Sequence, residues 1–292
     1  MHFLQFWLLY PLLRVLSIMP MRCLYLLSDL LFYLLYYFPG YRRKIVRTNL
    51  RNSLIYKEDE EILSIEKKFY RNFSDILFEC IKMLSFSKKD IISRCYFATG
   101  SYEVFKKLFD KGKHVIIAMG HTGNWEFAGL SMSAMEHYIV QVIYRPLANT
   151  YYDKLMFTVR SRFGAVPLDA TKVQRVIMEK KDKPTVTAFI TDQSPPPESA
   201  QWLSFLYQDT PVYKGIEKIS RKLNYPVVFA NVRRVKRGYY EIYIELICEN
   251  PGKMADGEIT KIHTCYLEEA IREQPDNWLW THRRWKHRRI TN

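Results

Sequence analysis

Apolar residues follow three rhythms along the chain. Residues 1–38 are dense in Leu, Phe, Tyr and Trp, with Arg14, Arg22 and Asp29 as the only charges. Tyr41-Arg42-Arg43-Lys44, Arg47 and Arg51 follow at once. The apolar stretches 3–13 and 23–38 are each shorter than the roughly 20 residues that cross a bilayer core, so a tilted span and two interfacial helices both fit. Over residues 60–85 the rhythm becomes helical, with Ile62, Ile65, Phe69, Phe73, Ile76, Leu77 and Cys80 on one face, and Glu79 reads as a solvated or paired charge. Beyond it, short runs rich in β-branched and aromatic residues at 115–119, 139–144, 185–190, 226–232 and 239–248 predict strands. Helical patterns at 124–136, 151–163, 172–181, 212–223 and 259–273 lie between or after them. That alternation predicts an α/β fold, a largely parallel sheet flanked by helices on both faces. The pair 226–232 and 239–248, joined through Lys236-Arg237-Gly238, reads as a hairpin that makes the sheet mixed. Ser194-Pro195-Pro196-Pro197-Glu198 is a loop.

Two units follow, an N-terminal hydrophobic membrane anchor at 1–40 and one domain at 41–292. The n-region lacks positive charge and no small-residue cleavage site ends the apolar run, which argues against a signal peptide. The basic cluster after residue 40 places the following domain on the cytoplasmic side of the membrane. Lys plus Arg outnumber Asp plus Glu by 44 to 30, a net charge of +14, so anionic partners are expected. Nucleic acid is set aside, because no zinc spacing, RNA-binding aromatic signature or distinguishable helix-turn-helix accompanies the charge. Five scattered cysteines, none in Cys-x-x-Cys spacing, read as reduced core residues.

Candidate chemistry sits where the strand 115–119 ends. His121, Thr122, Gly123, Asn124, Trp125 and Glu126 follow it directly, and strand ends are where open α/β sheets place their sites. Gly120 and Gly123 permit a tight turn, and the first turn of the next helix offers free N–H groups to negative charge. Taken alone, His121 could equally cap that helix and Glu126 merely favour its N-terminus.

The string Gly120-His121-Thr122-Gly123-Asn124-Trp125-Glu126 resembles the His-x4-acid motif of glycerolipid acyltransferases, and in particular the bacterial lipid A late acyltransferases. Four further blocks resemble that family in order: Tyr144-Arg145-Pro146 with Asn149, Arg160-Ser161-Arg162, Thr191-Asp192-Gln193, and Pro275 followed by Trp280-Thr281-His282-Arg283-Arg284-Trp285-Lys286. Leu147-Ala148 and Trp285 depart from the usual pattern. The resemblance implies a glycerolipid acyltransferase-like fold and an enzyme at the cytoplasmic face of the bacterial inner membrane. It would move an acyl chain from a thioester, carried by acyl carrier protein or coenzyme A, to a hydroxyl of an anionic lipid A precursor, without cofactor or metal.

That reaction needs a base for the hydroxyl proton, and His121 is the candidate. Glu126 is the expected orienter of the imidazole. Asp192 could orient His121, bind substrate or cap a turn, and ranks below Glu126 because Glu126 is covalently close to the base. The developing oxyanion could meet backbone N–H groups of the turn or an arginine. Asn124, Tyr144, Arg145, Arg160, Arg162, Asp192, Arg283 and Arg284 form the expected substrate-binding set. Arg160 and Arg162 are two positions apart on a helix, so at most one faces the centre. The basic run 282–289 reads either as a solvated tail or as a surface for phosphates, membrane or an acidic carrier protein, with Trp278, Trp280 and Trp285 suited to an interface. Another lipid acceptor, such as a lysophospholipid or an amino-acid-linked lipid, and a membrane-anchored acyl thioesterase remain alternatives.

Overall fold

The computed structural model describes residues 2–38, 40–179 and 182–289. Two 17-residue helices, α1 (His2–Ile18) and α2 (Met21–Tyr37), lead into α3 (Arg43–Ser53), α4 (Asp59–Lys82) and α5 (Lys88–Arg94). Then come β1 (Cys95–Phe97), α6 (Ser101–Asp110), β2 (Val115–Met119), α7 (Trp125–Ala134), β3 (Ile139–Tyr144), α8 (Thr150–Arg160), β4 (Val166–Asp169), α9 (Val173–Met178) and β5 (Thr185–Ile190). The chain continues with β6 (Ala200–Phe205), β7 (Gln208–Tyr213), α10 (Gly215–Leu223), β8 (Val227–Lys236), β9 (Tyr239–Cys248) and α11 (Glu258–Glu273).

Seven strands form one sheet in the order β1-β9-β8-β2-β5-β3-β4. Every neighbouring pair is parallel except β8 and β9, the expected hairpin, so the sheet is mixed and largely parallel. β2 lies inside it, and all five of its residues are buried because both faces are covered. Ile116 and Ala118 join Phe189 and Phe229 in a core beneath α2, α3, α4, α10 and α11, whereas Val115, Ile117 and Met119 join a second core with α5, α6 and α7.

Several expected boundaries move. The helix read at 212–223 begins at Gly215, because Val212 and Tyr213 belong to β7 in a separate β6–β7 hairpin. The helix read at 172–181 is the short α9, and Lys180 and Lys181 lie outside the described residues. β1 and β4, three and four residues long, are too short to carry a readable period.

No helix among the described residues is long and apolar enough to cross a membrane. The first two helices are two-sided. Leu24, Ser28, Phe32 and Tyr36 of α2 are buried, with Phe32 and Tyr36 in the core that also holds Phe69 and Tyr70 of α4. Trp7, Leu8, Leu12, Leu26, Leu30 and Phe38 are exposed.

α4 carries three acids on its buried face, each matched from a different direction. Glu66 accepts hydrogen bonds from Arg43 and Arg47 of α3. Asp75 accepts from Ser28, Arg234 and Arg237. Glu79 accepts from Tyr25 at 3.0 Å, Tyr240 at 2.7 Å and Asn124 at 2.7 Å.

Candidate active site

β2 delivers His121 at its C-terminal end through a turn in which backbone and side chains approach closely. A Cβ on Gly120 would lie 2.5 Å from Leu267 and 3.3 Å from an Asp192 oxygen, and Gly123 has φ +53 with its own missing Cβ 2.5 Å from the Val232 carbonyl. Only glycine fits these two positions without displacement. Asn124 then caps α7, its Oδ1 accepting from the Phe127 N–H at 2.9 Å.

The carboxylate on the imidazole is Asp192, just past β5. His121 Nδ1 and Asp192 Oδ1 are 2.6 Å apart, and the His121 backbone N–H donates to Oδ2 at 2.8 Å. The Trp278 indole N–H donates to the same Oδ2 at 2.7 Å. Burial alone would lower the His121 pKa, but the Asp192 charge and hydrogen bond outweigh it and hold the ring above its ordinary value. Burial pushes Asp192 up, yet His121 and the other donors hold it well below the usual carboxylate range, at about 2. With Nδ1 engaged by the carboxylate, Nε2 is the nitrogen left to take a proton.

The contact with the imidazole expected of Glu126 is made instead by Asp192. Glu126 receives a two-pronged contact from Arg160 instead, with Nε at 2.9 Å from Oε2 and Nη2 on Oε1. A fork-to-carboxylate match of this kind fixes both side chains. Arg160 also lies 5.7 Å from the centre of the Tyr144 ring.

A cavity of about 730 Å³ opens at this point, lined by His121, Trp125, Glu126, Tyr144, Arg145 and Arg160 among others. Arg145 is exposed and donates to the Tyr213 hydroxyl at 3.0 Å. Of the expected substrate-binding set, Tyr144, Arg145 and Arg160 come together there.

Four other members do not. Asn124 is buried, joining Glu79 to the start of α7, because a cap must face its own helix. Arg162 donates to the carbonyls of Met83 and Phe86, so its guanidinium ties the end of α8 to the end of α4. Arg284 is buried and donates to the Pro211 carbonyl at 2.8 Å, and burial pushes it down to about 10. Arg283 is exposed in a separate basic groove of about 790 Å³ with Lys44, Lys286, Arg288 and Arg289. The backbone donors expected for an oxyanion are also engaged in part, since the Gly123 N–H donates to the Asn277 carbonyl.

Trp278 and Glu79 are the neighbours that sequence reasoning missed. Trp278 and Trp280 are core residues rather than interfacial ones, 2 % and 0 % exposed, and Trp278 reaches Asp192 through its indole. For Glu79 a signal existed: it falls three residues after Ile76 and four before Met83, on the buried stripe of α4. Burial raises its pKa.

No group of His, Cys, Asp and Glu that could hold a metal ion occurs among the described residues. Residues 1–287 match the family described as bacterial lipid A biosynthesis acyltransferase. A comparison with curated proteins gives no match.

Proposed function

The chain belongs to the bacterial lipid A biosynthesis acyltransferases, and from that membership we propose that it moves a fatty acyl chain from an acyl carrier protein thioester to a hydroxyl of a lipid A precursor, with His121 as general base. The observation that carries this reading is the 2.6 Å contact between His121 Nδ1 and Asp192 at the mouth of the cavity. Asp192 fixes the tautomer, so Nε2 takes the hydroxyl proton as the oxygen attacks the thioester carbonyl, and the imidazolium then returns that proton to the departing thiolate. The carboxylate stabilises the imidazolium between those steps, and no protein nucleophile is required.

Glu126 contributes by holding Arg160. Nε and Nη2 of Arg160 bind Glu126, leaving Nη1 to meet the developing oxyanion. Tyr144 and Arg145 flank the acceptor at the same mouth, and Arg283 with its neighbours in the second groove attracts anionic head groups or the acidic carrier protein. The exposed apolar residues of α1 and α2 support their embedding in the cytoplasmic interface of the inner membrane without crossing it.

The deciding experiment supplies membranes bearing the wild-type chain, or His121→Ala, with radiolabelled acyl carrier protein thioester and a lipid A precursor. The variant is expected to stay folded and membrane-bound and to lose transfer by at least about 10²–10⁴-fold. Transfer within tenfold of wild type in a folded variant excludes His121 as the base, and free fatty acid without lipid product from the wild type identifies a thioesterase instead.

A further inference from the structure

The cavity at His121 straddles the sheet. Because side chains alternate across a strand, Met119, Val142 and Ala188 face the α7 side while Ile143 and Phe189 face α9 and α10. The second lobe is mixed, with Thr171, Gln174, Tyr213 and Lys218 on its wall. The first is apolar beyond its entrance, where Glu126 and Arg160 bind one another.

We propose that the lobe beneath α7 receives the acyl chain and that Gly129 and Met132 set the length it accepts. The proposal rests on the acyl-transfer reading above and deepens it. Trp125, Glu126, Gly129, Leu130 and Met132 all line the cavity, so it follows α7 from the His121 end over residues 125–132, about 10 Å at the helical rise. Gly129 stands midway. A Cβ there would meet only Val142 Cγ2, at 3.8 Å, so the chain passes where every larger residue would put a side chain. Further along, Met132 is buried, and Met156 of α8 and Met119 also line the cavity. Unbranched thioether side chains adapt to an alkyl chain without leaving voids. A thioester carbonyl held near His121 thus has its hydrocarbon led away from water along the helix.

The test uses the full-length membrane protein and a mixed ladder of saturated acyl carrier protein thioesters stepped by two methylenes, with a lipid A precursor as acceptor and products weighed by mass spectrometry. Gly129→Val is expected to shift the preferred chain shorter by at least one step, and Met132→Ala to shift it longer. Each methylene denied burial costs about fourfold in kcat/KM, the equivalent of about 0.8 kcal/mol. Opposite shifts from the two variants support the gauge. An unchanged product profile, or equal losses at all lengths in folded variants, overturns it. Gly129→Ala, whose Cβ has room, serves where the valine variant fails to fold.

Calorimetric titration with the corresponding free fatty acids separates this proposal from the acyl-transfer reading. Length-dependent binding that the variants shift, in a wild type that transfers nothing, sinks transfer and leaves the gauge standing. Normal transfer with binding and products unmoved by the variants sinks the gauge alone.

Discussion

Asp192 and Glu126 are both carboxylates beside the same cavity, and they differ in what they hold. Asp192, 71 positions from His121, binds the imidazole, whereas Glu126, five positions away, binds Arg160. Strand register explains the first. β2 and β5 are adjacent and parallel, with Met119 opposite Ile190 at their ends, so His121 and Asp192, each two residues past its strand, emerge side by side and meet. Helix geometry explains the second. The turn at Gly123 and the Asn124 cap start α7 before Glu126, whose side chain then reaches Arg160 on the neighbouring α8. Sequence nearness places side chains together only at the periods of a helix, and register places them together at any distance.

The sharpest way to break this comparison is Asp192→Asn. Loss of the carboxylate is expected to lower kcat by about 10²–10⁴. It should also move the pH profile in a defined direction. The base proposed at His121 would work when neutral, so wild-type activity is expected to rise through a pKa held above the ordinary histidine value of about 6.5. Without Asp192, burial dominates and the rising limb falls below that value. A pH–rate profile of kcat/KM checks this, and a limb that stays in place means that Asp192 does not face the working base.

Next in size is the Glu126–Arg160 pair. Glu126→Gln is expected to reduce kcat/KM less than Asp192→Asn and to lower Tm as well, because it leaves a partly buried guanidinium without its counter-charge. A double-mutant cycle with Arg160→Gln should give a coupling of about 1–3 kcal/mol in unfolding free energy. If Glu126→Gln abolished transfer as fully as Asp192→Asn at unchanged Tm, the two carboxylates would share the chemistry.

A smaller effect is expected at Arg145, exposed beside Tyr213. Arg145→Lys should raise KM for the lipid by at most about fivefold with kcat unchanged. A fall in kcat would move this residue from binding to the transition state. The smallest effect on catalysis belongs to Arg162, whose hydrogen bonds go to Met83 and Phe86 carbonyls. Arg162→Lys should cost about 1–2 kcal/mol in a denaturant titration and leave kcat/KM unaltered.

Periodicity made the sheet and its covering helices legible, and the run from Val115 to His121 marked the site because a fully apolar strand ending in polar residues has few other meanings. The carboxylate that contacts the His121 imidazole was not legible, since register between 119 and 190 is a property of the assembled sheet. Nor was the burial of Trp278, Trp280 and Arg284. A basic aromatic run reads as surface until the tail is seen packed on β7 and on Asn49, which donates to the Trp280 carbonyl at 2.9 Å. Glu79, read as a solvated or paired charge, lies on the buried stripe of α4 and is hydrogen-bonded by Tyr240 and Asn124, residues distant in sequence.

The pairing of β2 with β5 also bears on how the protein comes into being. Between His121 and Asp192 the chain runs through α7, β3, α8, β4, α9 and β5, and β3 pairs with β5 across two helices and a strand. No fragment short of β2 to β5 contains both members of the His121–Asp192 contact, so on the proposed mechanism competence is expected to arrive with closure of the sheet, a non-local and therefore slow event. In a refolding experiment, recovered turnover should lag the recovery of helical signal. A one-residue insertion within β5 should abolish activity, while one in the 194–199 loop is tolerated, since only the former turns the ladder's side chains to the opposite face.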